Sequence, residues 1–63
     1  MDTYKSYIEW MKANWVGAKV VYDGGVYEVM DVDYNGGLLI NKPTAFTNTT
    51  AIDENMVEER LNF

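Results

Sequence analysis

The residues best placed to do chemistry lie in one short run, Asp31-Val32-Asp33-Tyr34-Asn35-Gly36. Side-chain oxygens at alternate positions, followed by a glycine that permits a sharp turn, are how a calcium-binding loop begins. Leu38 supplies the apolar residue expected at the eighth position of such a loop. Lys42, however, stands at the twelfth, where a bidentate carboxylate should close the cage. Asp31, Asp33 and Asn35 are therefore a weak metal candidate, suited to millimolar calcium at best. Read without metal, the same residues are an acidic strand entering an Asn-Gly hairpin.

Other chemistry is limited by what the chain lacks. With neither His nor Cys, it has no Ser-His or Cys-His nucleophile pair, no disulfide and no thiolate metal site. Asp31 and Asp33 alternate along a strand and share its face. A carboxylate pair still needs a deep cleft to split its pKa values, which a small domain rarely has. Gly24-Gly25 and Gly36-Gly37 are turn glycines, because no Lys and helix N-terminus follow to cradle a phosphate. No enzymatic activity, cofactor or tight metal is expected.

The elements that must position these residues are legible from periodicity. Tyr4, Tyr7, Ile8, Met11 and Trp15 recur at helical spacing and predict an amphipathic helix over residues 1–15, capped by Asp2 or Thr3. Beyond Gly17, short apolar-polar runs alternate with glycine-rich turns. Strands are expected at 18–22, 26–33, 38–42, 49–52 and 56–59, with Val26/Glu28/Met30 on one face of the second and Tyr27/Val29/Asp31 on the other. Asp23-Gly24-Gly25 and Tyr34-Asn35-Gly36-Gly37 read as hairpin turns, and Asn35-Gly36 suits type I′. Pro43 places the longest loop after the third strand. Asp53 is expected to cap a single helical turn at Asp53-Glu54-Asn55 before the last strand. A chain of 63 residues makes one domain at most, with the helix (1–15) packed on a small β-barrel (17–59).

Five short strands, tight hairpins and a helical turn before the final strand resemble the Src-homology-3-like small barrel. The likeness rests on Gly17-Ala18-Lys19-Val20, Gly25-Val26-Tyr27-Glu28-Val29 and Ile52-Asp53-Glu54-Asn55-Met56-Val57. It implies a mainly β, α+β fold with a five-stranded antiparallel barrel, and by itself no particular function. Peptide-binding members carry an Ala-Leu-Tyr-Asp-Tyr stretch and a pair of Trp in the barrel. Here Tyr22-Asp23 is the only echo, so binding of a Pro-rich ligand in the usual groove is not expected. The compact, acidic, cysteine-free character also resembles small proteins of bacteriophages and mobile elements.

Net charge is −5, and residues 23–59 hold eight acids against Lys42 alone. Such a surface repels phosphate, so direct nucleic-acid binding is not expected. The amphipathic N-terminal stretch is unlike a signal peptide or membrane span, which makes a cytoplasmic protein without membrane association the expectation. What remains is the aromatic set. Trp10 lies about 120° around the helix from the apolar stripe, taking 100° per residue. With Tyr7 it widens the apolar arc beyond one packing face, and Tyr34 and Phe46 place aromatics on loops. The leading expectation is a non-enzymatic protein-interaction module, anchored by Tyr7 and Trp10 with Tyr34 and Phe46 as a second patch, binding a protein partner or itself. The rival is a phage-encoded acidic mimic of nucleic acid that inhibits a basic host protein.

Overall fold

The computed structural model describes the backbone of residues 3–61 and the side chains of residues 5–61. One helix, α1 (Thr3–Trp15), precedes five strands. These are β1 (Lys19–Tyr22), β2 (Gly25–Val32), β3 (Leu38–Ile40), β4 (Thr50–Ile52) and β5 (Glu59–Leu61), with a 3-10 turn, η1 (Glu54–Met56), before the last. All pairings are antiparallel, in one sheet of order β4-β3-β2-β1-β5. Of the expected helix cap, Asp2 lies outside the described residues and Thr3 is already helical. Tyr4 lies outside the described side chains.

Helix gives way to strand at Gly17, whose φ of +89° is the left-handed exit that glycine adopts without steric cost. Its N–H donates to the Val29 carbonyl (2.8 Å), and the Val29 N–H donates to the Ala18 carbonyl (2.9 Å). The chain thereby joins the side of β2 on which β1 continues.

Long β2 is the shared strand. Its first half pairs with β1, from Lys19↔Glu28 to Tyr22↔Gly25, and its second half pairs with β3, from Val29↔Ile40 to Val32↔Leu38. Within the second half the register shifts between Val29 and Asp31, leaving Met30 as the extra residue. That bulge breaks the simple alternation expected of the strand. Val29 and Val32 are both buried, while Asp31, expected on the face of Tyr27 and Val29, is exposed. An extra residue in one strand re-aims every side chain beyond it.

The two hairpins use different turns. Asp23 and Gly24 have φ of +49° and +76° and join β1 to β2 as a two-residue type I′ turn. At Asn35-Gly36, where type I′ was expected, only Gly36 has positive φ (+79°). There the Gly36 N–H donates to the Asp33 carbonyl (3.0 Å) and the Asp33 N–H to the Gly37 carbonyl (2.9 Å). This is a three-residue loop ending in a glycine bulge. Asp-Gly and Asn-Gly suit either turn, and the number of residues left between paired strands decides between them.

The expected closed barrel is not formed. Ladders join β4 only to β3 and β5 only to β1, so the sheet stays open between its two edge strands. The core shows why. Ile8 and Met11 of α1 lie in one buried cluster with Val20, Val29, Val32, Leu38, Ile40 and Ile52 of the strands. A closed small barrel fills its interior from strands alone, whereas here a helix takes part of that volume. The strands are also short, three residues each in β3, β4 and β5. The last strand begins later than the expected 56–59. Met56 is in η1, capped as expected by Asp53, whose side chain accepts from the Asn55 N–H at 3.0 Å. Pairing with β1 starts at Glu58, whose N–H donates to the Val21 carbonyl (2.8 Å).

Met11 is 1% exposed, the largest of the fully buried side chains. Met11→Ala is expected to cost about 3 kcal/mol, within the range for truncating a buried Met. A denaturant titration followed by the fluorescence of half-buried Trp15 measures it. A loss below 1 kcal/mol, the scale of an exposed substitution, would show the helix dispensable to the core.

Candidate interaction surface

The flank of α1 beside the buried Ile8–Met11 stripe carries two exposed aromatics. Trp10 is 59% exposed and Tyr7 46%. Spaced i, i+3, their rings lie over one another with centroids 6.4 Å apart and planes 24° from parallel. Asn14, one turn on, donates from Nδ2 to the Trp10 carbonyl (3.1 Å).

Tyr7 is anchored at its other end by the β2–β3 turn. A Cβ on Gly36 would stand 3.2 Å from the Tyr7 ring, so the bare glycine backbone is the surface on which that ring rests. Asp33 builds the turn. Its Oδ1 accepts from the N–H groups of Asn35 (2.9 Å) and Gly37 (2.7 Å). Tyr34, 82% exposed, projects from the same turn. It joins Ile8, Lys12, Asp31 and Leu39 around a shallow cavity of about 290 Å³ beside α1. Lys12 and Asp31 face each other there at 3.6 Å. Both are about half exposed, a setting in which an ion pair contributes roughly 0–1 kcal/mol.

Tyr34 thus stands on the turn against which Tyr7 rests, and the cavity it lines lies on the Ile8–Lys12 side of α1. Phe46 is 96% exposed on the loop 41–49, which leaves β3 at the end opposite to the turn carrying Tyr34. That loop is ordered by its own hydroxyls. Thr44 Oγ1 accepts from the N–H groups of Phe46 (3.1 Å) and Thr47 (2.9 Å), and Thr50 Oγ1 donates to the Lys42 carbonyl (2.7 Å). The two aromatics expected to form a second patch are thus separate features.

The calcium-like run is committed to holding the chain together. Besides the two turn amides on Asp33, Asp31 Oδ1 accepts from the Val32 N–H (2.8 Å) and faces Lys12. Asp31 and Asp33, expected on one face, are drawn to different partners because β2 ends at Val32 and Asp33 already belongs to the turn. Lys42 lies with Nζ 6.0 Å from the centre of the Tyr27 ring. Among the described residues no three acidic side chains gather closely enough to hold a metal ion.

At the other end of α1, Arg60 of β5 lies with its guanidinium 4.7 Å from the centre of the Trp15 ring and donates from Nη2 to the Asn14 carbonyl. Sequence reasoning missed this tie and the contact of Tyr7 with Gly36, since both join residues far apart in the chain. No helix among the described residues is long and apolar enough to cross a membrane. Searches of protein-family models, curated proteins and solved structures found no match to this chain.

Two measurements check this geometry. Gly36→Ala is expected to cost about 2 kcal/mol, since a left-handed backbone costs a non-glycine residue roughly 1–2 kcal/mol and the new methyl crowds Tyr7. Denaturant melts in a Tyr7→Ala background should show a smaller loss, and equal losses in both backgrounds would refute the contact. Calorimetric titration with calcium is expected to show no micromolar binding, because Asp33 already serves two amides. Micromolar binding abolished by Asp33→Ala would overturn that assignment.

Proposed function

We propose that this chain is a non-enzymatic interaction module that docks a protein partner on the Tyr7–Trp10 face of α1. The observation that carries the reading is the stacked aromatic pair held in the open, clear of the core, by Gly36 and the β2–β3 turn. A large ring left wet forgoes the burial energy of its apolar area, and aromatics recovered from water in this way dominate interface hot spots. On the Ile8–Lys12 flank of α1, the shallow cavity lined by Tyr34 offers room for one apolar side chain of a partner. The strand order, with β5 placed beside β1 after η1, supports an open variant of the Src-homology-3-like arrangement as the scaffold.

Trp10→Ala is expected to leave the fold intact, at a cost of about 1 kcal/mol or less. It should weaken partner binding by about 2 kcal/mol or more, the hot-spot scale. The experiment is affinity capture from host lysate with wild-type and Trp10→Ala baits, alongside denaturant melts of both. A partner held equally by the two baits would refute the aromatic face. Salt separates the acidic-mimic reading, since contacts between exposed charges weaken steeply with ionic strength while an aromatic anchor changes little.

A further inference from the structure

The turn that supports Tyr7 also borders a second cavity. Gly36, on which the Tyr7 ring rests, lines a depression of about 220 Å³ together with Asn35, Gly37, Ala51, Ile52 and Asp53. Trp10 stacks on Tyr7 and Tyr7 touches Gly36, so the aromatic pair leads to this cavity without a break. Gly36 and Gly37 bring bare backbone to it and Ala51 a single methyl, which leaves room for a long side chain.

The charges at this end of the molecule have one sign. Asp53 lines the cavity and Glu54 follows it, both exposed. Asp33 holds its carboxylate against Gly37, where an added Cβ would stand 2.8 Å from Oδ2. Asp53 caps η1 through Oδ1, which leaves Oδ2 open to a further donor. Among the described residues no cation pairs with Asp33, Asp53 or Glu54. The chain's own cations are used elsewhere, Lys12 on Asp31, Lys19 on Glu28, Lys42 over Tyr27 and Arg60 over Trp15. No three carboxylates stand close enough to hold a metal ion. The complementary group is therefore a cation carried on a side chain.

We propose that the segment docking on the Tyr7–Trp10 face carries a Lys or Arg beside its apolar anchor and seats that basic side chain in the cavity between Gly36 and Asp53. This inference rests on the docking face proposed above and names the charge of what binds there. The apolar stem of such a side chain lies along the bare backbone and Ala51, while its head meets the Asp53 carboxylate. An acidic segment would meet like charges at the same place, so the cavity selects partners by charge as the aromatics do by apolar area. A single ion pair gives only a slight salt dependence, unlike a mimic that works through many carboxylates.

Selection from a phage-displayed library of random peptides on immobilised wild type tests the assignment. Enriched sequences are expected to carry Lys or Arg near an aromatic or branched aliphatic residue. For one enriched peptide, calorimetric affinities for wild type and Asp53→Asn should differ about fivefold, the upper end for an exposed ion pair. Asn caps a helical turn as well as Asp does, so this substitution removes the charge and keeps η1. Replacing the peptide's basic residue by Gln should weaken binding to wild type by a similar factor and binding to Asp53→Asn hardly at all, the signature of direct pairing. Equal binding to wild type and Asp53→Asn, or enriched sequences without basic residues, would overturn the inference and leave the docking face standing. Peptides held equally by wild type and Trp10→Ala, or no enriched peptide at all, would count against the docking face itself and this inference with it.

Discussion

The arrangement depends on Met11 and Ile8 entering the concave side of the sheet. A chain this small buries only about 60% of the surface its unfolded form exposes, and it has no disulfide among its means of stabilisation. Each fully buried apolar side chain contributes roughly 1.5–3 kcal/mol, so two supplied by the helix are a large share of a marginal total. Because the helix fills that volume, the strands need not close around it. The open sheet, the two free edges and the exposed far side of α1 all follow from this one substitution of helix for strand.

Position follows from the same constraint. The contacts of Gly17 and Ala18 with Val29, of Lys12 with Asp31 and of Tyr7 with Gly36 lay α1 back along the second half of β2, where β1 gives no cover. With one side of the helix spent on the core, a residue about a third of a turn away must face water. Trp10 is that residue, with Tyr7 on the flank between it and Met11, and both are aromatic where solubility alone would favour charge. The bulge at Met30 serves the same end, since it turns Val32 into the core and frees Asp31 to meet Lys12.

Acidic residues divide by duty. Asp33 and Asp53 satisfy backbone N–H groups at a turn and at the start of η1. Glu28 pairs with Lys19 at 2.9 Å and Asp31 with Lys12. Glu58 and Glu59 stand exposed at the start of the edge strand β5. A net charge of −5 is thus partly the sum of local structural tasks.

The helix, the number and order of the strands, the capped turn before the last one and the exposure of Trp10 were all determined by the sequence itself. Each rests on local periodicity or on a capping residue acting within a few positions. Ile8 and Met11 at helical spacing needed a core, and glycine-rich turns forced the chain to reverse. What only the tertiary structure decided involves residues distant in the chain. The bulge at Met30 is a matter of register between β2 and β3, so alternation within β2 could not reveal it. Whether Asn35-Gly36 or Asp23-Gly24 forms the type I′ turn depends on where the paired strands stop. The resting of Tyr7 on Gly36, the tie of Arg60 to Trp15 and the failure of the barrel to close depend on how one helix and one sheet share a small volume. Shared volume is a property of the folded chain, and no window of sequence contains it.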